Sequence, residues 1–128
     1  MTAPARPEVH LKKKGAHFYA AISIAGVAFE AMVDSGASSC VLSHEAVRLL
    51  GQDPRALQYD GSATLADGGT CRTATVHLDL CVAGILAAAV ECKIVRNDPG
   101  RLGSLIGQSF LRRLHSVEQR RNTMVLRP

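Results

Sequence analysis

Apolar and polar positions alternate along much of this chain in short runs bounded by glycine, asparagine, aspartate or proline, the pattern of half-buried strands. Phe18-Tyr19-Ala20-Ala21-Ile22-Ser23-Ile24 is β-prone, Ala25-Gly26 offers a turn, and Ala28-Phe29-Glu30-Ala31-Met32-Val33 returns as a second strand. The predicted hairpin delivers Asp34 at a strand's end, where a reactive side chain is held by a rigid scaffold. Val41-Leu42 reads as a short strand, and Ser43 caps a brief helix over 44–50 that Gly51 and Pro54 stop.

Further on, Ser62-Ala63-Thr64-Leu65-Ala66 and the β-prone run starting at Thr70 flank Asp67-Gly68-Gly69. Asp-Gly between such runs predicts a hairpin with a type I′ turn, which needs positive φ at both central positions. Residues 76–82 alternate as a strand with one buried face, Gly84 turns the chain, and residues 89–95 form another strand. Asn97-Asp98-Pro99-Gly100 is a loop. Leu105-Ile106-Gly107 leads into a short helix with Phe110, Leu111 and Leu114 on one side, and Val117 with Met124-Val125-Leu126 suggests a last hairpin. The expectation is a mainly β fold of about seven to nine short strands with one or two short helices. Residues 1–16 read as a flexible or edge-docking arm, and 17–128 as one domain.

Composition narrows the class. A chain of 128 residues with 47% hydrophobic and 20% charged content has a globular balance. Without Trp, and with two Tyr and three Phe, its core must rest on Val, Ile, Leu and Ala. The net charge of +4 is spread over Lys12-Lys13-Lys14, Arg112-Arg113 and Arg120-Arg121, and stacking aromatics are scarce, so no nucleic-acid partner is expected. Cys40, Cys71, Cys81 and Cys92 form no C-x-x-C pair and imply no disulfide; buried thiols lean towards a reducing compartment. The apolar run 82–90 is far shorter than the roughly 20 residues of a membrane span. A cytoplasmic location is expected; a missing N-terminal segment would make it periplasmic or membrane-anchored.

Few residues are placed for chemistry. No G-x-S-x-G or phosphate-binding P-loop is present, and the five histidines are isolated, so neither a metal nor a cofactor is expected. What remains is Asp34-Ser35-Gly36. As a bare tripeptide it carries little, and the bland alternative is an aspartate capping a turn with Gly36 needed for its backbone. Its setting adds weight: an apolar strand before it, small Ala37 and Ser38 after it, an Asp-Gly-Gly hairpin further on, and Leu105-Ile106-Gly107 before a helix.

In order and spacing these pieces resemble the bacterial retropepsin-like (clan AA) aspartic proteases over roughly His17 to Leu126. The resemblance implies a closed β-barrel monomer assembling as a two-fold dimer. It assigns catalysis to Asp34 and support of the catalytic loop to Ser35, Gly36, Ala37, Ser38 and Gly107. It assigns the flap over substrate to Leu65, Ala66, Asp67, Gly68, Gly69 and Thr70. Ser35 stands where many members have Thr, and either hydroxyl can lock the two catalytic loops together across the dimer. The chain holds a single Asp-Ser-Gly, so the second carboxylate of the dyad would come from a second copy by two-fold symmetry. Such a homodimer would cleave an extended peptide or protein substrate. Ala37 puts no hydroxyl beside the dyad, which points to an optimum nearer mild acidity or neutrality than strong acid. The alternative keeps the fold as a catalytically silent dimerisation or peptide-binding module.

Overall fold

A computed structural model describes residues 7–64, 67–97 and 103–128. Among them are ten strands, two α-helices and one 3-10 turn. The first hairpin forms as the pattern requires: β2 (His17–Ile24) pairs antiparallel with β3 (Val27–Val33), from Phe18↔Val33 to Ile24↔Val27. Inward positions Phe18, Ala20, Ile22 and Ile24 are buried and alternate with more exposed residues, the period of a pleated strand. After β3 the chain passes through β4 (Cys40–Val41), α1 (His44–Leu49) and a 3-10 turn (Pro54–Ala56). The Ser43 side chain accepts from the Ala46 N–H and caps α1, as expected.

β5 (Gly61–Thr64) and β6 (Thr70–Val82) form the second hairpin, and β7 (Ile85–Val95) returns along β6. β6 and β7 each run as one long strand where the sequence suggested shorter pieces. Their ladder shifts register between Leu78 and Leu80, and there the Asp79 carboxylate accepts from the Ala89 N–H at 2.9 Å. The bulge lets one long hairpin keep its apolar positions facing inward. β8 (Ser104–Ile106), α2 (Gln108–Leu111), β9 (Ser116–Gln119) and β10 (Thr123–Arg127) complete the chain.

The strands lie in the order β5-β6-β7-β4-β8-β3-β2-β1-β10-β9, with an additional β2–β6 pairing. β8 runs parallel to β3 and antiparallel to β4, and β4 runs parallel to β7. The count exceeds seven to nine, in part because Val9–Lys14, inside the segment read as an arm, forms β1. It pairs with β10, Val9↔Leu126 to Lys12↔Thr123, and buries Leu11. Phe110, Ile106, Val82, Val90 and Leu126 are fully buried and centre the core. No helix among the described residues is long and apolar enough to cross a membrane.

Two tight turns carry a local conflict. Ala25 and Gly26 have φ of 49° and 81°, and Ala83 and Gly84 have 49° and 87°. Both pairs take the left-handed conformation of a type I′ turn, which Gly accepts freely and Ala does not. Asparagine tolerates this conformation better. Ala25→Asn and Ala83→Asn are each expected to stabilise the protein by about 0.5–1 kcal/mol. Thermal unfolding of the single and double variants checks this: midpoints should rise additively, and a fall in both would contradict the turn assignment.

Candidate active site

The site is built where β3 ends beside β8. The Asp34 N–H donates to the Ile106 carbonyl at 2.9 Å, continuing the β3–β8 ladder one step beyond Val33↔Ile106. The chain then turns sharply. The Ala37 N–H donates to the Asp34 carbonyl at 3.1 Å, and the Gly36 N–H donates to Asp34 Oδ1 at 3.0 Å. The aspartate is therefore held at both backbone and carboxylate, which limits the positions its second oxygen can take. Asp34 is half-buried, and Ser35, Gly36 and Ser38 are exposed.

The start of α2 braces this loop from behind. The Gln108 N–H donates to the Ala37 carbonyl at 2.8 Å, and Gln108 Nε2 donates to the Ser35 carbonyl at 2.9 Å. Between them lies Gly107, fully enclosed. A Cβ added to Gly107 would stand 2.8 Å from the Ala37 carbonyl oxygen and closer still to the Ser39 carbonyl. Backbone cannot yield as a side-chain tip can, so only glycine lets β8 and the Asp34 loop approach this closely.

The next layer consists of buried polar groups. The Ser109 hydroxyl accepts from the Cys40 N–H at 2.8 Å and donates to the Glu91 carbonyl at 2.7 Å, stitching α2 to β4 and β7. The Gly107 N–H points at Cys40 Sγ at 3.4 Å. Cys40 faces Cys92 in the β4–β7 register, and both thiols are buried and unoxidised. The hydrogen bond to Cys40, together with burial, pushes the Cys92 thiol far above its ordinary range. Cys92 therefore stays a protonated donor and a packing residue. Gln108, Ser109 and Cys40 were missed as supports from the sequence, because their partners lie far along the chain.

Register also defines a surface beside the aspartate. Met32 pairs with Leu105, Leu105 with Val41, and Val41 with Lys93, a row across β3, β8, β4 and β7. Directly opposed residues project to one face, and all four are half-buried between buried neighbours. Met32 precedes Asp34 by two positions, so the pleat puts it on the side from which the carboxylate emerges. Ser39 Oγ lies 3.4 Å from Glu91 Oε1, which also pairs with Lys93 at 3.7 Å.

The hairpin expected to cover the site spans β5 and β6, with Thr64↔Thr70 as the last pair among the described residues. Leu65 and Ala66 lie outside the described residues. At the tip, Asp67 Oδ1 accepts from the Gly69 N–H at 2.8 Å, and Gly68 takes a φ of 87°. The type I′ turn expected here rests in part on residue 66 and so lies outside the described residues; what is described is a loop closed by the Asp67 carboxylate. Asp67, Gly68, Gly69 and Thr70 are exposed. Two cavities among the described residues do not include Asp34 in their lining: one of about 430 Å³ is lined by His44, Tyr59 and Arg96, and one of about 230 Å³ by His77, Glu91, Ser109 and Arg112. Among the described residues no cluster of three or more His, Cys, Asp or Glu side chains could hold a metal ion.

This arrangement is similar to known proteins. The family model for gag-polyprotein putative aspartyl protease matches residues 20–113, which run from β2 through the Asp34 loop and the β5–β6 hairpin to α2. Among curated protein sequences none matches significantly. Among solved structures, the crystal structure of a retropepsin-like aspartic protease from Rickettsia conorii matches with a TM-score of 0.81 at 25% identity, over 94% of this chain and 99% of that one.

Proposed function

Because this chain belongs to the gag-polyprotein putative aspartyl protease family, we propose that it is an aspartic endopeptidase in which Asp34 from each of two copies activates one water. The family and the retropepsin-like fold support peptide-bond hydrolysis in general terms. The observation that carries the specific reading is the constraint on Asp34: it stands at the end of β3 with its backbone on Ile106 and Oδ1 on the Gly36 N–H. An aspartate that only capped a turn would need neither the enclosed Gly107 nor the Gln108 brace behind it.

The chain has one Asp-Ser-Gly, and water activation of this kind needs two carboxylates. A two-fold dimer would set Asp34 against its own mate, since an isologous contact can oppose a residue to itself. Two carboxylates at such range share one proton, the behaviour the aspartic proteases exemplify. The ionised member takes a proton from the attacking water while the protonated member donates to the scissile carbonyl oxygen. The resulting tetrahedral carbon collapses, the leaving amine receives a proton, and the dyad is restored. The exposed Ser35 hydroxyls would tie the two loops together.

The β2–β6 pairing supports the closed barrel, because it joins the two ends of the path β6-β7-β4-β8-β3-β2. Such a barrel is stiff, and it would hold the Met32, Leu105 and Val41 row as an apolar floor. An extended peptide would lie on that floor beneath the two β5–β6 hairpins, one from each subunit, hydrogen-bonding through its backbone. Residues 17–128 would form the protease domain, with the preceding segment contributing β1 between β2 and β10.

Incubation with an unstructured protein, with and without a statine-type inhibitor that mimics the tetrahedral intermediate, tests the activity. Cleavage that the inhibitor stops is the expected result. Equal products in both samples would overturn the proposal.

A further inference from the structure

Basic residues that are dispersed in the sequence converge in the fold. Lys12, Lys13 and Lys14 end β1, and Arg120 and Arg121 lie in the β9–β10 turn. The fold brings these two groups together: Lys12 is the register partner of Thr123, the Lys13 N–H reaches the Asn122 carbonyl at 3.4 Å, and Lys13 Nζ donates to the Arg121 carbonyl at 3.4 Å. Two carboxylates answer them, Glu30 on Lys14 at 2.8 Å and Glu118 on Arg120 at 2.9 Å. Five cations against two carboxylates leave three positive charges here, most of the chain's net +4. Lys12, Lys13 and Arg121 have no carboxylate partner among the described residues, and all three are exposed.

The cluster also lies at the catalytic end of the sheet. Lys13 pairs with Phe18, Phe18 pairs with Val33, and Val33 precedes Asp34. Two interstrand spacings separate the end of β1 from that level, roughly 10 Å. Lys13 shares the inward face of Phe18 and Val33, whereas Lys12 and Lys14 lie on the face of Tyr19 and Met32, from which the Asp34 carboxylate emerges. An extended chain covers about 3.3 Å per residue, so a residue some three or four positions from the scissile bond spans that distance.

We infer that this basic surface recruits acidic segments of the polypeptide substrate, with carboxylates a few residues from the cut. The inference rests on the protease reading, and it names the substrate class for the same site. Charge complementarity of this kind acts through encounter rate and is weakened by salt. The aromatic rings nearby argue against a nucleic acid as the natural occupant. Phe18 is buried, Lys13 Nζ sits 5.9 Å from its centroid, and Lys14 Nζ sits 5.0 Å from that of Tyr19. With Phe18 buried and one face of Tyr19 taken by Lys14, the cluster holds little open aromatic surface for a base to stack on.

The test uses the full chain and two peptides that share one cleavable apolar centre, one flanked by glutamates and the other by glutamines. At low salt kcat/KM for the acidic peptide should exceed that for the neutral one by about 10-fold. The ratio should approach one in 0.5 M salt, on the order of a 4 Å Debye length, and in Lys12→Gln/Arg121→Gln. Binding of the same labelled peptides to Asp34→Asn separates this inference from the activity. If the wild type cuts neither peptide but Asp34→Asn binds the acidic one in a salt-sensitive way that the Lys12/Arg121 changes remove, the surface stands and the protease reading falls. Equal kcat/KM for both peptides at low salt, or tight binding of polyuridylate with none of the acidic peptide, would overturn the inference.

Discussion

Asp34→Asn is expected to abolish peptide-bond cleavage, with kcat/KM down by at least about 10³-fold, within the range contributed by general acid–base groups. The substitution is nearly isosteric, and an amide oxygen can still accept the Gly36 N–H that Asp34 Oδ1 accepts at 3.0 Å. The turn should therefore persist, and thermal stability should stay within about 0.5 kcal/mol of the parent. What is lost is the group that changes protonation state. Hydrolysis of a fluorogenic peptide, read beside the thermal midpoint, separates a chemical loss from a folding loss. Retained cleavage in a folded variant would remove Asp34 from the mechanism.

Gly107→Ala is expected to have the largest effect on the folded state of any single methyl. The new Cβ would meet the Ser39 and Ala37 carbonyls, both in the loop that carries Asp34. Relief requires β8 and that loop to separate, which breaks the Asp34–Ile106 and Gln108–Ala37 hydrogen bonds. A cost of at least about 3 kcal/mol follows, at the upper end for overpacking because backbone rather than side chain must move. That corresponds to a fall of roughly 10 °C in Tm for a domain of this size. Activity should vanish with it. A variant with unchanged Tm and activity would contradict the close approach on which the site depends.

Much of this site was legible because its parts are local. The hairpin before Asp34 shows in the alternation of residues 18–33, the cap of α1 shows in Ser43, and the Leu105-Ile106-Gly107 element shows as apolar residues ending on glycine. Each signal lies within a few residues of the structure it produces. β1 was anticipated only as a flexible or edge-docking arm, because Lys12-Lys13-Lys14 masks a strand whose inward residue is Leu11 and whose partner is Met124. Ser109 and Glu91 were invisible for a different reason, since a hydroxyl bridging two distant backbones leaves no spacing to read. The basic cluster joins segments more than a hundred residues apart, as the contact of Lys13 with Arg121 shows. Positive φ at Ala25 and Ala83 ran against residue preference, and hairpin geometry prevailed over it.

Mixing wild-type chains with Asp34→Asn tests the shared site most directly. The two should be co-refolded at a constant total concentration that keeps the chains dimeric by sedimentation, and cleavage measured as the wild-type fraction falls. If each active site needs one Asp34 from each chain, only wild-type pairs cut. Activity then follows the square of the wild-type fraction, and an equal mixture retains about one quarter of it. A linear decline, with about one half remaining in the equal mixture, would mean that each chain carries a complete site and would contradict the account.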